Sequence, residues 1–364
     1  MKTVLSVVGA RPNFIKIAPL ARAFKKYRKE VKHLLCHTGQ HFDQRMSEIF
    51  FDELQMPRPD FNLGVGGGSH AEQTARIMLE LEKVLLAERP DLVIVPGDVN
   101  STLAAALVAS KMGIPIAHVE AGLRSFDKSM PEEINRIVTD VVSDFLFVTE
   151  HSGMHNLRDE GMDDNKIFFV GNTMIDTLES HYEAIESCDI TGRLKLDKGR
   201  YVVSTFHRPS NVDDRESLTS LMETLGRVAE ERRLVFPVHP RTRKNIREFG
   251  LEDKMPSGLL LTEPMGYIEF LSLMRYAELV ITDSGGIQEE TTYMGVQCIT
   301  VRRNTERPVT IDVGTNHLVG VSMEKVEKAA MDILGGTTKP GRIPELWDGK
   351  AAKRIAAIIM DHKE

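Results

Sequence analysis

Short runs of Val, Ile and Leu alternate with amphipathic stretches along almost the whole chain. Each apolar run has the length of a strand buried on both faces, and each amphipathic stretch has the spacing of a helix with one apolar side. Helices are predicted at residues 13–27, 71–86 and 101–111. Strands are predicted at residues 4–8, 31–37, 92–95, 116–119, 145–148, 167–170, 201–205, 234–237, 259–261, 279–282 and 297–301. This alternation predicts an α/β protein with parallel, doubly wound sheets.

The length of the chain, 364 residues, favours two domains over one, because a single hydrophobic core rarely grows so large. A polar stretch at residues 187–200 separates the halves. The economical arrangement is two Rossmann-like domains joined near residues 172–176. Ligands of such sheets bind beyond the carboxyl ends of the strands.

The composition bounds the class of protein and its partners. Hydrophobic residues make up 41% and charged residues 27%, as in globular proteins, and the net charge of −7 argues against broad nucleic-acid affinity. Cys36, Cys188 and Cys298 lie far apart, which favours a reducing compartment. Residues 1–10 resemble a signal peptide only superficially, since the apolar run is short and Arg11 and Pro12 follow it. With no apolar run near the ~20 residues of a membrane helix, we expect a cytoplasmic protein without membrane or nucleic-acid partners.

A glycine turn follows the predicted strand at residues 279–282. Ser284, Gly285 and Gly286 open a helix-like segment that carries Glu289 and Glu290. The free N–H groups and positive dipole at the start of such a helix suit an anion, and an acid one turn later can accept hydrogen bonds from sugar hydroxyls. An ordinary strand-to-helix connection remains an equal alternative.

Two further turns in the first half carry candidate side chains. Arg11 and Lys16 follow the first strand, where a phosphate or carboxylate would suit them, although both could be surface charges. This turn lacks the spaced glycines of a dinucleotide-binding motif. Asp98 follows the strand at residues 92–95, and helix capping by Asp98 or Asn100 is the alternative.

Acidic residues also follow the strand at residues 116–119. Glu120 ends an apolar strand, where an unpaired carboxylate would be costly, and Glu132 and Glu133 lie just after Pro131 at a predicted helix start. Favourable interaction with the helix dipole is a strong alternative for this second pair. If Asp98, Glu120 and Glu132 converge, they share protons and shift one another's pKa, as acid–base catalysis requires.

Histidine and arginine recur after two strands of the second half. His207 precedes Arg208, and His239 lies two residues before Arg241. Beside the Gly-Gly turn, these pairs favour a phosphate pocket over isolated structural histidines. No metal site is expected: His33, His37 and His41 have a helical ligand spacing, but residues 31–37 are predicted to be a strand.

Together, the motifs over residues 9–308 closely resemble those of the non-hydrolysing UDP-N-acetylglucosamine 2-epimerases. They are G-A-R-P-x-x-I-K, G-D-x-x-S-T, H-V-E-A-G-L-R, P-E-E-x-N-R, G-N-T-x-I-D, D-S-G-G-I-Q-E-E and T-E-R-P. The resemblance implies a homodimer of GT-B architecture, with domains at residues 1–172 and 173–345 and the active site in the interdomain cleft. It also implies that a helix at about residues 346–364 packs back onto the first domain.

The resemblance implies reversible conversion of UDP-GlcNAc to UDP-ManNAc without a nicotinamide or other cofactor. In the family, the C2 proton is removed and UDP is expelled to give 2-acetamidoglucal, and UDP then adds back with the proton on the opposite face. The implied catalytic residues are Asp98, Glu120, Glu132 and His207. The implied substrate contacts are Arg11, Lys16, Arg136, His239, Ser284, Gly285, Gly286 and Glu290.

The chain departs from the family pattern in three places. Residues 206–211 read F-H-R-P-S-N where many members have H-R-R-E, and residues 301–304 read V-R-R-N in place of L-R-D-x. Gln40 and His41 match a loop that binds an activating UDP-GlcNAc in bacterial members, but Phe42 and Asp43 do not continue that match.

Four other functions fit the motifs. They are a hydrolysing 2-epimerase, an epimerase of a C3-modified or uronic UDP-HexNAc, a GT-B glycosyltransferase and a non-catalytic UDP-sugar sensor. Arg303 is the candidate contact for a uronic carboxylate. A sensor could discard the three acids, and their retention therefore favours an enzyme.

Overall fold

The apolar runs of the first half form a parallel sheet in the computed structural model, which describes residues 1–40, 51, 53–252 and 258–362. Within these residues the strand order is β3-β2-β1-β4-β5-β6-β7. The strands are β1 (Lys2–Val8), β2 (Val31–His37), β3 (Phe61–Asn62), β4 (Leu92–Pro96), β5 (Ile116–Ala121), β6 (Phe145–Val148) and β7 (Ile167–Phe169). The order reverses between β1 and β4, which is where a ligand crevice opens in a doubly wound sheet.

Helices connect these strands. They are α1 (Arg11–Phe24), α2 (His70–Glu88), α3 (Asn100–Lys111), α4 (Pro131–Val142), α5 (His151–Asp159) and α6 (Thr173–Ser180), with 3₁₀ turns at Lys25–Tyr27 and Asp164–Lys166. Leu5, Val93 and Ile116 on the strands are fully buried and pack with Leu81 and Leu85 of α2. The continuous apolar runs therefore reflect strands that are covered on both faces.

The second half forms another parallel sheet, of order β10-β9-β8-β11-β12-β13 within the described residues. Its strands are β8 (Val202–Thr205), β9 (Leu234–Pro237), β10 (Leu259–Thr262), β11 (Leu279–Thr282), β12 (Gln297–Thr300) and β13 (Asn316–Leu318). Its helices are α7 (Tyr182–Ser187), α8 (Ile190–Arg193), α9 (Pro209–Val212), α10 (Arg215–Glu231), α11 (Pro240–Glu248), α12 (Tyr267–Arg275), α13 (Gly285–Met294), α14 (Val309–Asp312) and α15 (Met323–Leu334). The reversal of strand order falls between β8 and β11.

Helix α10 shows how the pattern of one segment determines its packing. The Asp214 carboxylate caps the helix by accepting from the Ser217 amide. Leu218, Leu221 and Leu225 recur at helical spacing and are fully buried in the core of the second sheet. Each such leucine contributes about 1.5–3 kcal/mol by leaving water.

The predicted α/β fold class with two doubly wound sheets is confirmed. The predicted strands at residues 31–37, 145–148, 234–237 and 279–282 match the observed bounds, and the others differ by at most two residues at an end. Strands β3 and β13 were not predicted, because each is short and contains polar residues, so neither leaves an apolar run in the sequence.

The chain divides into two units, Met1–Ser180 with Glu345–Glu364 and His181–Pro344. The division predicted from the sequence, near residue 172, falls at the start of α6. This helix continues to Ser180, and Thr177 Oγ1 donates to the Ile15 carbonyl in α1 at 2.6 Å. The last helix, α16 (Ala351–Asp361), belongs to the first unit. Within the described residues, no helix has both the length and the apolar character needed to cross a membrane.

Candidate functional site

The motifs of the first unit come together at one end of its sheet. Arg11 and Lys16 follow β1, Asp98 follows β4, and Glu120 lies near the end of β5. Because β1, β4 and β5 are consecutive neighbours in the sheet, their carboxyl ends open side by side. The strand order thus brings together side chains that are about a hundred residues apart in the chain.

Glu120 and Lys16 form a buried ion pair. Lys16 Nζ lies 2.6 Å from Glu120 Oε2, and the two side chains are 4% and 3% exposed. Glu120 has φ of 77°, and the pairing of β5 with β6 shifts register between Val119 and Ala121. A non-glycine residue in this backbone region is strained by about 1–3 kcal/mol, and such strain clusters at functional sites.

Asp98 is held by Arg136, which lies on α4. Arg136 donates from Nε at 3.1 Å and from Nη2 at 2.9 Å to Asp98 Oδ2, and from Nη1 at 2.5 Å to Glu133. Capping by Asp98 or Asn100 is not observed, since the N-cap of α3 is Val99 and has no side-chain cap. The Asp98 carboxylate is thus paired with the Arg136 guanidinium and does not cap α3.

The two acidic residues in the first turn of α4, Glu132 and Glu133, have different environments. Glu133 accepts from the Ser125 amide at 2.9 Å and the Phe126 amide at 2.9 Å, and so fixes the loop before the helix. Glu132 is half-buried and lies four residues before Arg136, on the same side of the helix. Glu133 therefore binds the loop before the helix, and Glu132 lies one helical turn before Arg136.

Arg11 is the first residue of α1 and is partly exposed. The turn before it is fixed by Asn13, whose Oδ1 accepts from the Gly9 and Ala10 amides at 3.1 Å and whose Nδ2 donates to the Pro96 carbonyl at 3.0 Å. Asn13 thereby ties the β1 turn to the end of β4. Asn13 occupies an x position of the motif G-A-R-P-x-x-I-K, and the sequence alone does not predict that it bridges the two strand ends.

The motifs of the second unit also share one end of a sheet. His207 follows β8, His239 follows β9 and Ser284 follows β11, and these strands are neighbours in the order β9-β8-β11. His207 Nδ1 lies 2.9 Å from Asp283 Oδ1, and the imidazole is 52% exposed. This leaves Nε2 as the ring nitrogen directed away from the carboxylate.

Asp283 fixes the turn that carries His207. Its buried carboxylate accepts from the Arg208 amide at 2.9 Å and from Asn211 Nδ2 at 2.9 Å. Burial by itself raises the pKa of Asp283, but the hydrogen bond and charge of His207, with Asn211 and the Arg208 amide, hold it below its usual value. Asp283 lies in the motif D-S-G-G-I-Q-E-E, but the sequence does not reveal this role, because an aspartate after a strand fits helix capping equally well.

His239 is the N-cap of α11, and its Nδ1 accepts from the Arg241 amide at 3.3 Å. Its pKa is lowered by burial and by the charges of His207 and Arg241. The influence of His207 places the two imidazoles in one electrostatic environment, as the strand order suggests. Arg241 itself pairs with Asp213.

Ser284 is the N-cap of α13, and its side chain makes no capping bond. A Cβ at Gly285 would lie 2.7 Å from Arg307 Nη1 and 2.9 Å from Glu306 Oε1, so the ends of these two side chains would have to shift. Gly286 follows it in the first turn, and Glu290 is buried one turn further on. The turn therefore combines a helix N-terminus with two consecutive glycines, which are the features expected of an anion site.

Glu289 pairs with a buried arginine of the second unit. Its Oε1 lies 3.0 Å from Arg307 Nε, and Arg307 also pairs with Glu306. Arg302 donates to Glu306 at 2.7 Å and is buried, whereas the neighbouring Arg303 is exposed. The departures at residues 302 and 303 thus have different environments.

The residues described contain no group of three or more His, Cys, Asp or Glu side chains arranged to hold a metal ion. His33 lies on β2 and its Nε2 is 2.9 Å from Ser6 Oγ. His41, the third histidine of the spacing that begins at His33, lies outside the described residues, as do Phe42 and Asp43, where the match to the activator loop ends. Two buried residues that sequence analysis did not assign, His118 and Asp140, adjoin the segments of Asp98 and Glu120.

Comparison with known proteins gives a consistent family. The family model described as UDP-N-acetylglucosamine 2-epimerase matches residues 23–360. The UDP-N-acetylglucosamine 2-epimerase of Methanocaldococcus jannaschii is 44% identical over 361 residues, covering 97% of each chain. The UDP-2,3-diacetamido-2,3-dideoxy-D-glucuronate 2-epimerase of Pseudomonas aeruginosa is 41% identical over 360 residues, covering 98% of this chain and 99% of that one.

The crystal structure of Methanocaldococcus jannaschii UDP-GlcNAc 2-epimerase in complex with UDP-GlcNAc and UDP matches this chain with a TM-score of 0.91. The match covers 100% of both chains at 44% identity. It confirms the fold class predicted from the sequence, two Rossmann-like domains of the GT-B type. With the family model matching residues 23–360, the chain belongs to the UDP-N-acetylglucosamine 2-epimerase family.

Proposed function

We propose that the protein interconverts UDP-GlcNAc and UDP-ManNAc by eliminating UDP to 2-acetamidoglucal and adding it back. The observation that carries this proposal is the pair of strand-end sites. One holds Glu120 and Asp98 against cations, and the other presents His207 beside the glycine turn that opens α13. Family membership and the 44% identical epimerase support it.

The first unit supplies the proton chemistry. The C2 hydrogen of the sugar is barely acidic, and C1–O cleavage must therefore run ahead and build positive charge on the ring. Carboxylates stabilise that charge and carry the proton away from one face and onto the other. Asp98, Glu120 and Glu132 have these roles in our proposal. Lys16 and Arg136 fix the oxygens of the first two.

The second unit holds the leaving group. The amides of Gly285 and Gly286 and the hydroxyl of Ser284 bind the diphosphate at the helix start, and Glu290 binds the ribose. Asp283 accepts from Nδ1–H of His207, and in our proposal the doubly protonated ring donates from Nε2 to the departing diphosphate oxygen. His239 completes this group, and Arg11 of the first unit keeps its proposed role as a diphosphate contact.

A second candidate is an epimerase of a C3-modified or uronic UDP-HexNAc. The Pseudomonas aeruginosa relative named for such a substrate is 41% identical, close to the 44% of the UDP-GlcNAc enzyme. Arg303 is exposed, while Arg302 pairs with Glu306. An exposed guanidinium is suited to pair with a sugar carboxylate.

We also propose a homodimer in the cytoplasm. Ile134 and Val141 lie seven residues apart on α4 and are 48% and 57% exposed, and Leu79 and Leu86 repeat this spacing on α2. Exposed apolar pairs at this spacing form stripes on the helix surface that a second copy would cover. The acidic net charge of −7 supports a chain without a nucleic-acid partner.

Incubation with UDP-GlcNAc in deuterated water tests the activity. We expect deuterium at C2 and formation of UDP-ManNAc, with little free UDP. Free UDP and ManNAc in stoichiometric amounts would indicate the hydrolysing reaction. Exchange only with a 2,3-diacetamido uronic UDP-sugar would indicate the second candidate, and unchanged, unlabelled sugars throughout would contradict both epimerase proposals.

A further inference from the structure

We infer that His118 and Asp140 act as a positioning pair, which holds the two chain segments carrying Asp98 and Glu120 in register with each other. The inference rests on the proposed function, because it concerns the carboxylates that handle the proton. Neither residue is expected to touch the substrate, since both are fully buried.

Asp140 binds the chain segment that carries Glu120. Its Oδ2 accepts from the Gly122 amide at 3.1 Å and lies 2.7 Å from Arg124 Nη1. Its Oδ1 lies 2.6 Å from His118 Nδ1. Asp140 therefore contacts β5 and its continuation on both sides of Glu120: it binds the Gly122 amide, two residues after it, and the His118 side chain, two residues before it.

His118 extends the connection to the segment of Asp98. Its Nε2 donates to the Gly97 carbonyl at 2.8 Å, immediately before Asp98. A carbonyl can only accept, and the other ring nitrogen faces a carboxylate. The geometry thus places a hydrogen on Nε2, which bonds the Gly97 carbonyl, and sets Nδ1 against the Asp140 carboxylate.

Both segments need such support because their backbones are unusual. Gly97, Glu120 and Gly122 have φ of 66°, 77° and 80°. Side chains carried on such turns depend on neighbouring bonds for their direction, and a displacement of about 1 Å can cost ~100-fold in rate. A proton relay is not part of this inference, since the Gly97 carbonyl has no exchangeable proton to pass on.

The charges around Asp140 determine which variants are informative. Arg124 bonds Asp140 and also pairs with Glu160 at 2.6 Å, and replacing Asp140 would leave a buried guanidinium with one partner fewer. Replacing His118 leaves the Asp140–Arg124 pair in place. The variants are therefore made at His118.

Substitution of His118 by Gln or by Asn tests the two hydrogen bonds of the imidazole one at a time. In His118→Gln the amide nitrogen reaches the position of Nε2 and keeps the bond to Gly97. In His118→Asn it reaches the position of Nδ1 and keeps only the bond to Asp140. We expect kcat of His118→Asn to lie at least ~10-fold below that of His118→Gln, with KM and UDP affinity within ~3-fold of wild type in both.

Thermal unfolding of the same variants separates positioning from stability. We expect similar melting temperatures for the two amides, because each loses one buried hydrogen bond. Equal kcat values, a larger loss in His118→Gln, or losses that follow the melting temperatures would overturn the inference. If neither variant folds, ¹⁵N-histidine labelling of the wild type decides: a hydrogen-bonded N–H at Nε2 of His118 supports the inference, and its absence contradicts it.

Wild-type exchange at C2 distinguishes this inference from the proposed function. Absence of C2 deuterium in the wild type with all UDP-sugars would end the proposed function. An active wild type with equally active His118→Asn and His118→Gln variants would leave the proposed function intact and remove only the positioning pair.

Discussion

Lys16 Nζ and Glu120 Oε2 lie 2.6 Å apart, and the two side chains are almost completely buried. The pair joins the helix after β1 to the bulged end of β5. A buried pair of this kind is weak evidence for stability, because desolvation offsets much of its attraction. Its position beside a strained carboxylate, φ 77°, indicates a functional reason for its presence.

Lys16→Met leaves the Glu120 charge buried without this partner, and we expect a loss of about 3 to 5 kcal/mol in local stability. The double variant Lys16→Met/Glu120→Gln should lose less than the two single variants added together. Amide hydrogen exchange of β5 measures this locally, which matters because a chain of two units need not unfold in one step. Strict additivity in the double variant would show that the pair is not coupled.

Asp98→Asn should lower kcat for C2 exchange by at least ~100-fold, because an amide cannot carry the proton. UDP affinity should change little, since the diphosphate contacts lie mainly in the second unit. Asp164→Asn is the matched control: it removes one carboxylate of the same unit from an exposed pair with Arg158, whose Nε lies 2.6 Å away. Near-normal exchange in Asp98→Asn would remove Asp98 from the proton-handling group.

Ser284→Trp should weaken UDP binding at least ~100-fold, because the indole fills the space at the start of α13 where the diphosphate is proposed to lie. Ser322→Trp is the matched control, since Ser322 is also an N-cap without a side-chain bond, at the start of α15 in the same unit. Calorimetric titration with UDP measures both. Equal affinities for the two variants would place the nucleotide elsewhere.

The Asp176 carboxylate accepts from the amides of Ala351 and Ala352 at 3.0 and 2.7 Å, at the start of α16. Burial raises the pKa of Asp176 from 3.8 to about 6, although these amide bonds oppose the shift. Because the folded state holds this proton more tightly than the unfolded state, the contribution of Asp176 to stability falls as the pH rises from about 4 to about 6. The full change is on the order of 3 kcal/mol.

Asp176→Asn removes this titration and provides the comparison. The melting temperature of wild type minus that of Asp176→Asn should be larger at pH 5 than at pH 7, because the other titrating groups cancel in the difference. A difference that is constant between these pH values would mean that Asp176 does not titrate in the window.

The fold was largely accessible from local patterns. Uninterrupted Val, Ile and Leu runs mark strands buried on both faces, and the strand at residues 279–282 and the glycine turn after it were found without any long-range information. Local rules also placed Glu132 and Glu133 in the first turn of a helix after Pro131. They could not show that Glu133 binds the loop at Ser125.

The chain pattern alone determined the α/β class and the position of each motif after a strand, because burial and helical spacing are properties of short segments. Only the tertiary structure decided which charges meet. Lys16 reaches Glu120, Arg136 reaches Asp98, and His207 reaches Asp283 because β1, β4 and β5, and likewise β8 and β11, are neighbours in their sheets. That order is set by crossover connections between distant segments, and no local pattern encodes it.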